Sequence, residues 1–244
     1  MQVPDYAILL VISTLMFVSG GLAMMLTFGT ASAQLGREEK RRFAFMIGGY
    51  LLSWAAAAQA IAYTNILVPR VEQTFPLLGV LVLGGTVLGI VLLSVSRHAT
   101  AVLQAIPLHW LATIQVYRII GLVFLMLYAD GLLSGYFALS TGWGDIFVGV
   151  TAPIVGYLLW RDTARFWAIG FAWCIVGIGD LLLVLYKAIN SAPGPFQTTS
   201  FDLPTVIVGY YPFPLVPLLI VPISIILHVQ LIRRLVGRPV PVPQ

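Results

Sequence analysis

Seven apolar runs, each long enough to form a helix that crosses a lipid bilayer, constrain this chain more than any other feature of its sequence. A bilayer core of about 30 Å needs about 20 consecutive, mostly apolar residues in helical form. The runs lie at residues 6–29, 43–65, 75–96, 105–130, 143–160, 165–190 and 207–232. Because the joining segments are short, the sequence predicts an all-α bundle of seven transmembrane helices, with residues 1–244 forming a single membrane domain.

Composition agrees with this class of protein. Hydrophobic residues make up 59% of the 244 residues and charged residues 9%, whereas a soluble domain has about 25% charged residues. The first run is longer than the apolar part of a signal peptide and has no basic residue before it, so we expect a retained helix. The net charge of +4 comes from residues at the ends of the runs. The lipid bilayer is therefore the expected partner, and nucleic acid is not.

The distribution of basic residues predicts the orientation of the bundle. Arg70 and Lys187 are the basic residues on one side, whereas the other side carries Arg37, Lys40, Arg41, Arg42, Arg97, Arg161, Arg165, Arg233, Arg234 and Arg238. Lysine and arginine are enriched in cytoplasmic loops. We therefore expect a multi-pass protein of the inner (cytoplasmic) membrane, with the N-terminus outside and the C-terminus in the cytoplasm.

Small residues and prolines predict how the helices pack. Gly85 and Gly89 form a G-x-x-x-G pattern, through which a homo- or hetero-oligomer could form. The fifth run carries a stripe of small residues at helical spacing, made of Asp145, Gly149, Ala152 and Gly156. Four prolines, Pro212, Pro214, Pro217 and Pro222, must kink the seventh run, either as a simple bend or as a hinge with exposed carbonyls.

Arg118 is the clearest polar residue at membrane depth, because it lies well inside the fourth run. Gln115 and Gln104 precede it by three and fourteen residues, which places both on nearly the same side of a helix. An arginine at this depth needs an anionic partner. Asp180 in the sixth run and Asp145 at the start of the fifth are the candidates.

Four further polar residues fall at a similar depth in the outer half of the bundle: Gln59, Tyr63, Tyr210 and Tyr211. The leading hypothesis is an outward-facing polar site that binds a small molecule, as in a transporter or a sensor. A guanidinium suits a carboxylate or phosphate group on such a ligand. An Arg–Asp pair that only fixes helix packing is the alternative interpretation.

His109 and His228 lie at matching depths and suggest a second kind of site. Two histidines at one depth could hold a haem, and the many aromatic residues could hold a carotenoid. However, His109 lies nine residues from Arg118, on nearly the opposite face of the helix. A third hypothesis is a non-catalytic subunit of a larger membrane complex. An enzyme is the least favoured class, because the sequence shows no nucleophile–base set or metal cluster.

Three stretches, residues 106–155, 172–197 and 211–235, carry a family resemblance. Their H-W, Q-x-x-R, G-x-G-D and S-x-P-G-P motifs and the proline-rich last helix with its histidine resemble a widespread, largely uncharacterised family of bacterial seven-helix membrane proteins. The matching positions are His109, Gln115, Arg118, Asp145, Gly194 and His228. The resemblance implies no established function, but it favours a specific polar site around Arg118 and Asp145.

Overall fold

The structure, a computed structural model, describes residues 2–72 and 77–237 and is helical without strands in these ranges. Its eight helices are α1 Asp5–Ser32, α2 Arg37–Tyr63, α3 Leu77–Val95, α4 Arg97–Ala105, α5 Leu108–Ala129, α6 Gly135–Arg161, α7 Thr163–Ser191 and α8 Val216–Val236. Seven of them, all but α4, are long and apolar enough to cross a membrane. The predicted helical class and the number of long apolar helices are thus confirmed. Residues 75 and 76 of the predicted third run and Arg238 lie outside the described residues.

Contacts between helix ends show that the long helices run alternately up and down. At one end, Arg97 donates to Glu39 at 3.0 Å and Arg234 donates to the Ile106 carbonyl at 2.5 Å. We call this the basic end. At the opposite end, the Tyr6 hydroxyl donates to Asp130 at 2.5 Å, so the start of α1 meets the end of α5. The N-terminus therefore lies at the end opposite to the basic residues.

The short helix α4 corrects the predicted start of the fourth run. Ser96 caps α4 by accepting a hydrogen bond from the Ala99 backbone at 3.2 Å, and Pro107 separates α4 from α5. A proline disfavours helical geometry in the residue before it, which breaks the helix here. Gln104 consequently lies exposed on α4 and does not share a face with Arg118.

Helix α5 contains a tighter 3₁₀ segment at Ile114–Gly121, and this segment packs closely against α6. A Cβ on Gly121 would lie 2.6 Å from the Gly142 carbonyl oxygen, and one on Gly149 would lie 2.6 Å from the Ile119 backbone nitrogen. Only glycine permits such an approach of two backbones. The small-residue stripe predicted on the fifth run is buried, and its packing partner is the 3₁₀ segment. Helix α6 begins at Gly135, eight residues before the predicted residue 143. It therefore includes Gly142 and Gly144.

Helix α8 begins at Val216, later than the predicted residue 207, and opens with a π-helical turn at Val216–Ile220. Pro222 has no N–H to donate to the Leu218 carbonyl one turn earlier. The indole of Trp54 in α2 donates to that carbonyl at 3.1 Å. The carbonyl next to the missing N–H is thus satisfied by a neighbouring helix.

The predicted glycine contact surface on α3 is occupied within the chain. A Cβ on Gly85 would clash with the Trp54 ring, and one on Gly89 would lie 2.7 Å from the Ile226 side chain. Gly85 and Gly89 therefore join α3 to α2 and α8. An oligomer through these two glycines stays an untested prediction, and the groove they form is already filled.

Burial is uneven among the helices. In the most apolar 18-residue window of each helix, 61% of the residues of α8 and 56% of those of α5 are buried, against 6% for α2. The core thus lies among α5, α6, α7 and α8, and the polar residues at mid-length of these four helices face one another.

Candidate functional site

Arg118 lies at the centre of a buried cluster of charges and has 1% of its surface exposed. Its Nε donates to Asp145 Oδ1 at 2.7 Å, and one Nη donates to the Gly177 carbonyl at 3.0 Å. The other Nη donates to Asp180 Oδ2. The three residues come from α5, α6 and α7, and we call them the charged triad. The sequence singled out all three residues, with Asp180 and Asp145 as the candidate partners of Arg118.

Glycines make room for this arrangement. Asp180 projects over Gly144 of α6, where a Cβ would overlap the carboxylate. A Cβ on Gly121 would lie 2.6 Å from the Asp145 Cβ. The G-x-G-D motif therefore has two roles, because Gly144 accommodates one carboxylate and the next residue supplies the other.

The charges of the triad do not balance. One guanidinium faces two carboxylates, so the ionised triad carries one excess negative charge. All three nitrogens of Arg118 already donate hydrogen bonds. Each carboxylate receives one of them, through Asp145 Oδ1 and Asp180 Oδ2, and its second oxygen accepts none from the described residues. An anion would therefore meet an engaged guanidinium and two like charges.

Two hydrogen bonds tie the same 3₁₀ segment to α8. Gln115 donates to the Ser224 carbonyl at 3.1 Å, and the Tyr117 hydroxyl lies 2.5 Å from the Ser224 hydroxyl. Gln115 is fully buried, and its Oε1 has no hydrogen-bond partner among the described residues. Sequence analysis found Gln115 but missed Tyr117 and Ser224. Both carry uncharged side chains. The signals in the sequence that could have indicated them are that Tyr117 is next to Arg118 and that Ser224 lies two residues after Pro222.

The other predicted site residues do not join the triad. Gln59 is exposed and donates to the Tyr211 hydroxyl at 2.8 Å. Tyr63 is 74% exposed and meets the Tyr211 ring edge-on, with 5.7 Å between ring centroids. Tyr210 packs against the main hydrophobic core instead. Depth along a helix had suggested one zone, but Gln59 and Tyr63 form a separate contact between α2 and Tyr211, in the segment before α8.

A small cavity of about 60 Å³ adjoins the triad on the side away from the basic end, and we call it the inner cavity. Asp145 is the one polar residue that lines it, and the walls include Phe124, Phe137 and Phe213. A second, more open cavity of about 80 Å³ lies between α3, α7 and the segment 192–196. The two cavities share four lining residues, Leu78, Leu185, Ala188 and Val208. They therefore lie side by side, the second towards the end opposite to the basic residues and the first next to Asp145.

The two histidines do not fit a haem held between them. The His109 ring lies on α5 near Trp110 and Trp160, with centroid distances of 6.4 and 6.5 Å. His228 is fully buried on α8, with its ring centroid 4.9 Å from that of Trp173. A Cβ on Gly177 would lie 2.5 Å from His228 Nε2, so the α7 backbone covers this nitrogen. The imidazoles thus face different helices and are not arranged as axial ligands of one iron.

These observations define an all-helical protein with seven long apolar helices and a buried Arg–Asp–Asp cluster among the last four of them. The chain belongs to the family described as a domain of unknown function (DUF8737), whose family model matches residues 75–236. The match covers α3 to α8, and therefore the whole triad. No curated protein and no solved structure matches the chain. The expected membership of an uncharacterised family is thereby confirmed, and its bacterial origin stays a prediction.

Proposed function

We propose that this chain is a multi-pass protein of the inner membrane, with its N-terminus outside, that binds a small molecule at the charged triad as a transporter or a sensor. The observation that carries the proposal is the position of the two adjoining cavities. One lies towards the end opposite to the basic residues, and its neighbour reaches Asp145, a buried carboxylate with an unpaired oxygen. If the basic end is cytoplasmic, the former cavity lies towards the outside.

The irregular helices support a site that changes shape. Arg118 lies on the 3₁₀ segment of α5, and Val216 of the π-helical turn of α8 lines the inner cavity. Segments of 3₁₀ and π helix within longer helices are frequent at hinges and functional sites. Interrupted helices near the middle of the bilayer are also where transporters build their binding sites.

The charge of the triad bears on the ligand. The sequence suggested an anion because a free guanidinium would attract one. In the folded chain the guanidinium is engaged by two carboxylates and a carbonyl. The excess negative charge favours a neutral or cationic molecule over an anionic one.

A thermal-stability screen of the purified full chain against small metabolites tests the proposal. We expect at least one compound to raise the melting temperature of the wild type, because a ligand that binds only the folded state stabilises it. The variant Leu185→Trp fills the junction of the two cavities and should abolish this response. The matched control is Leu182→Trp, since Leu182 lies on the same helix but is 47% exposed.

The two variants decide the outcome together. A response that Leu185→Trp removes and Leu182→Trp retains supports the cavity as the binding site. A response that survives in Leu185→Trp would contradict the proposal, as would a screen in which no compound stabilises the wild type. For a compound that binds, uptake into proteoliposomes then separates a transporter from a sensor.

A further inference from the structure

The inner cavity extends along α6 and has a carboxylate among its lining residues. Phe137 and Asp145 both line it, and they lie eight residues apart on one face of α6. At 1.5 Å per residue this separation is about 12 Å. A volume of about 60 Å³ leaves room for a ligand of only a few non-hydrogen atoms.

The lining of this cavity has one charge. Every lining residue other than Asp145 is apolar, so no cation from the protein lies opposite the free oxygen of Asp145. Arg118 is shared with Asp180 on the far side of the triad. With Asp145 and Asp180 both ionised, the excess negative charge of the triad faces a space with hydrophobic walls, where electrostatic attraction is stronger than in water.

Three aromatic rings surround the remainder of the cavity. The Phe124 ring lies 5.7 Å from the Phe137 ring and 6.3 Å from the Phe213 ring, measured between centroids. Such a wall suits a short apolar group, and the face of an aromatic ring also attracts a cation. The cavity thus combines a carboxylate at one end with aromatic and aliphatic contacts along its length.

From these features we infer that the ligand of this site is a small protonated amine with a short apolar substituent. The ammonium group donates to the free oxygen of Asp145, and the substituent lies between Phe137 and Phe213. A primary ammonium has three donors and no acceptor, so it suits a carboxylate oxygen and neutralises the excess charge of the ionised triad. The inference rests on the proposed function, because it names the ligand class of that site.

Three probes of similar size and different charge test the inference: butylammonium, butanol and butyrate. Each is added to the purified full chain, and the melting temperature is measured at equal ionic strength. We expect butylammonium to stabilise the protein and the two other probes to have little effect. An equal response to butanol would overturn the role of charge.

Variants then locate the binding. Asp145→Asn removes the excess charge and should weaken the response to butylammonium about tenfold or more in half-saturating concentration. Phe137→Trp leaves the triad intact and should block the cavity, which covers the case that Asp145→Asn fails to fold. The matched control is Asp130→Asn, because Asp130 is an exposed carboxylate of the same end of the bundle that hydrogen-bonds to Tyr6.

The results separate this inference from the proposed function. If butylammonium has no effect, or acts equally on the wild type and on Asp145→Asn, the amine assignment is wrong. If butyrate or a metabolite of the screen binds instead and Leu185→Trp abolishes its effect, the site stands with another ligand class. If no probe and no metabolite stabilises the wild type, both proposals are wrong.

Discussion

Arg118 is the one cation of the charged triad, so we expect its loss to lower the unfolding free energy of the chain. Replacing it by methionine leaves Asp145 and Asp180 without a cation. Each carboxylate side chain is only about 10% exposed, so water cannot take the place of the guanidinium. Removing one partner of a buried ion pair costs about 3–5 kcal/mol. We expect Arg118→Met to lower the unfolding free energy in detergent by this amount, as measured by denaturant titration.

The control for this prediction removes all three charges. In Arg118→Met/Asp145→Asn/Asp180→Asn no ionised group is buried in the triad, and neutral replacements of whole ion clusters are often well tolerated. The triple variant should therefore regain most of the lost stability. A triple variant as unstable as Arg118→Met would mean that packing, and not charge, explains the loss.

Gly144 gives a second prediction at the residue scale. A methyl group there overlaps the Asp180 carboxylate, so Gly144→Ala must displace a member of the triad. Forced overpacking of this kind costs about 1–3 kcal/mol. Gly179→Ala is the matched control, because a Cβ at Gly179 meets nothing within 4 Å and alanine favours a helix. Equal effects of the two substitutions on the melting temperature would contradict the steric argument.

At the scale of the helix, the start of α8 depends on α2. Trp54 donates a hydrogen bond to the Leu218 carbonyl, to which Pro222 has no backbone N–H to donate. Trp54→Phe removes this donor from a buried carbonyl, and we expect a loss of about 1–3 kcal/mol in unfolding free energy. The change Trp143→Phe, at a site that is 60% exposed, provides the comparison.

A double-mutant cycle isolates the cause. Pro222→Ala restores a backbone N–H one turn after Leu218, so the indole becomes dispensable. Trp54→Phe should therefore cost less stability in the Pro222→Ala background than in the wild type. An unchanged cost would assign the effect to the contact of the Trp54 ring with Gly85 instead.

At the scale of the whole molecule, the proposed orientation makes the two ends of the bundle differ in accessibility. The single cysteine, Cys174, is buried, so Cys174→Ala provides a background for new cysteines. Thr198→Cys lies at the end opposite to the basic residues, and Gln104→Cys lies at the basic end, both at exposed positions. In intact cells a membrane-impermeant maleimide should label the former and reach the latter only after permeabilisation. The reverse pattern would place the N-terminus inside.

The sequence by itself determined the parts of this protein that depend on local composition. Seven apolar runs predicted seven long apolar helices, and the depth of Arg118 predicted an anionic partner, with Asp180 and Asp145 as the candidates. Both follow from rules that act within one helix, namely its length and the cost of an isolated buried charge. The end of a helix at Pro107 was readable in principle, since proline acts on its immediate neighbours.

Only the tertiary structure decided which predicted residues share a site. Gln59, Tyr63 and Tyr210 match the triad in depth, yet they lie elsewhere, because helices that are apolar on all sides do not show which face is buried. The contacts of Gly144 with Asp180 and of Trp54 with Leu218 join residues far apart in the chain. Such contacts depend on the approach of whole helices, and no local pattern encodes that approach.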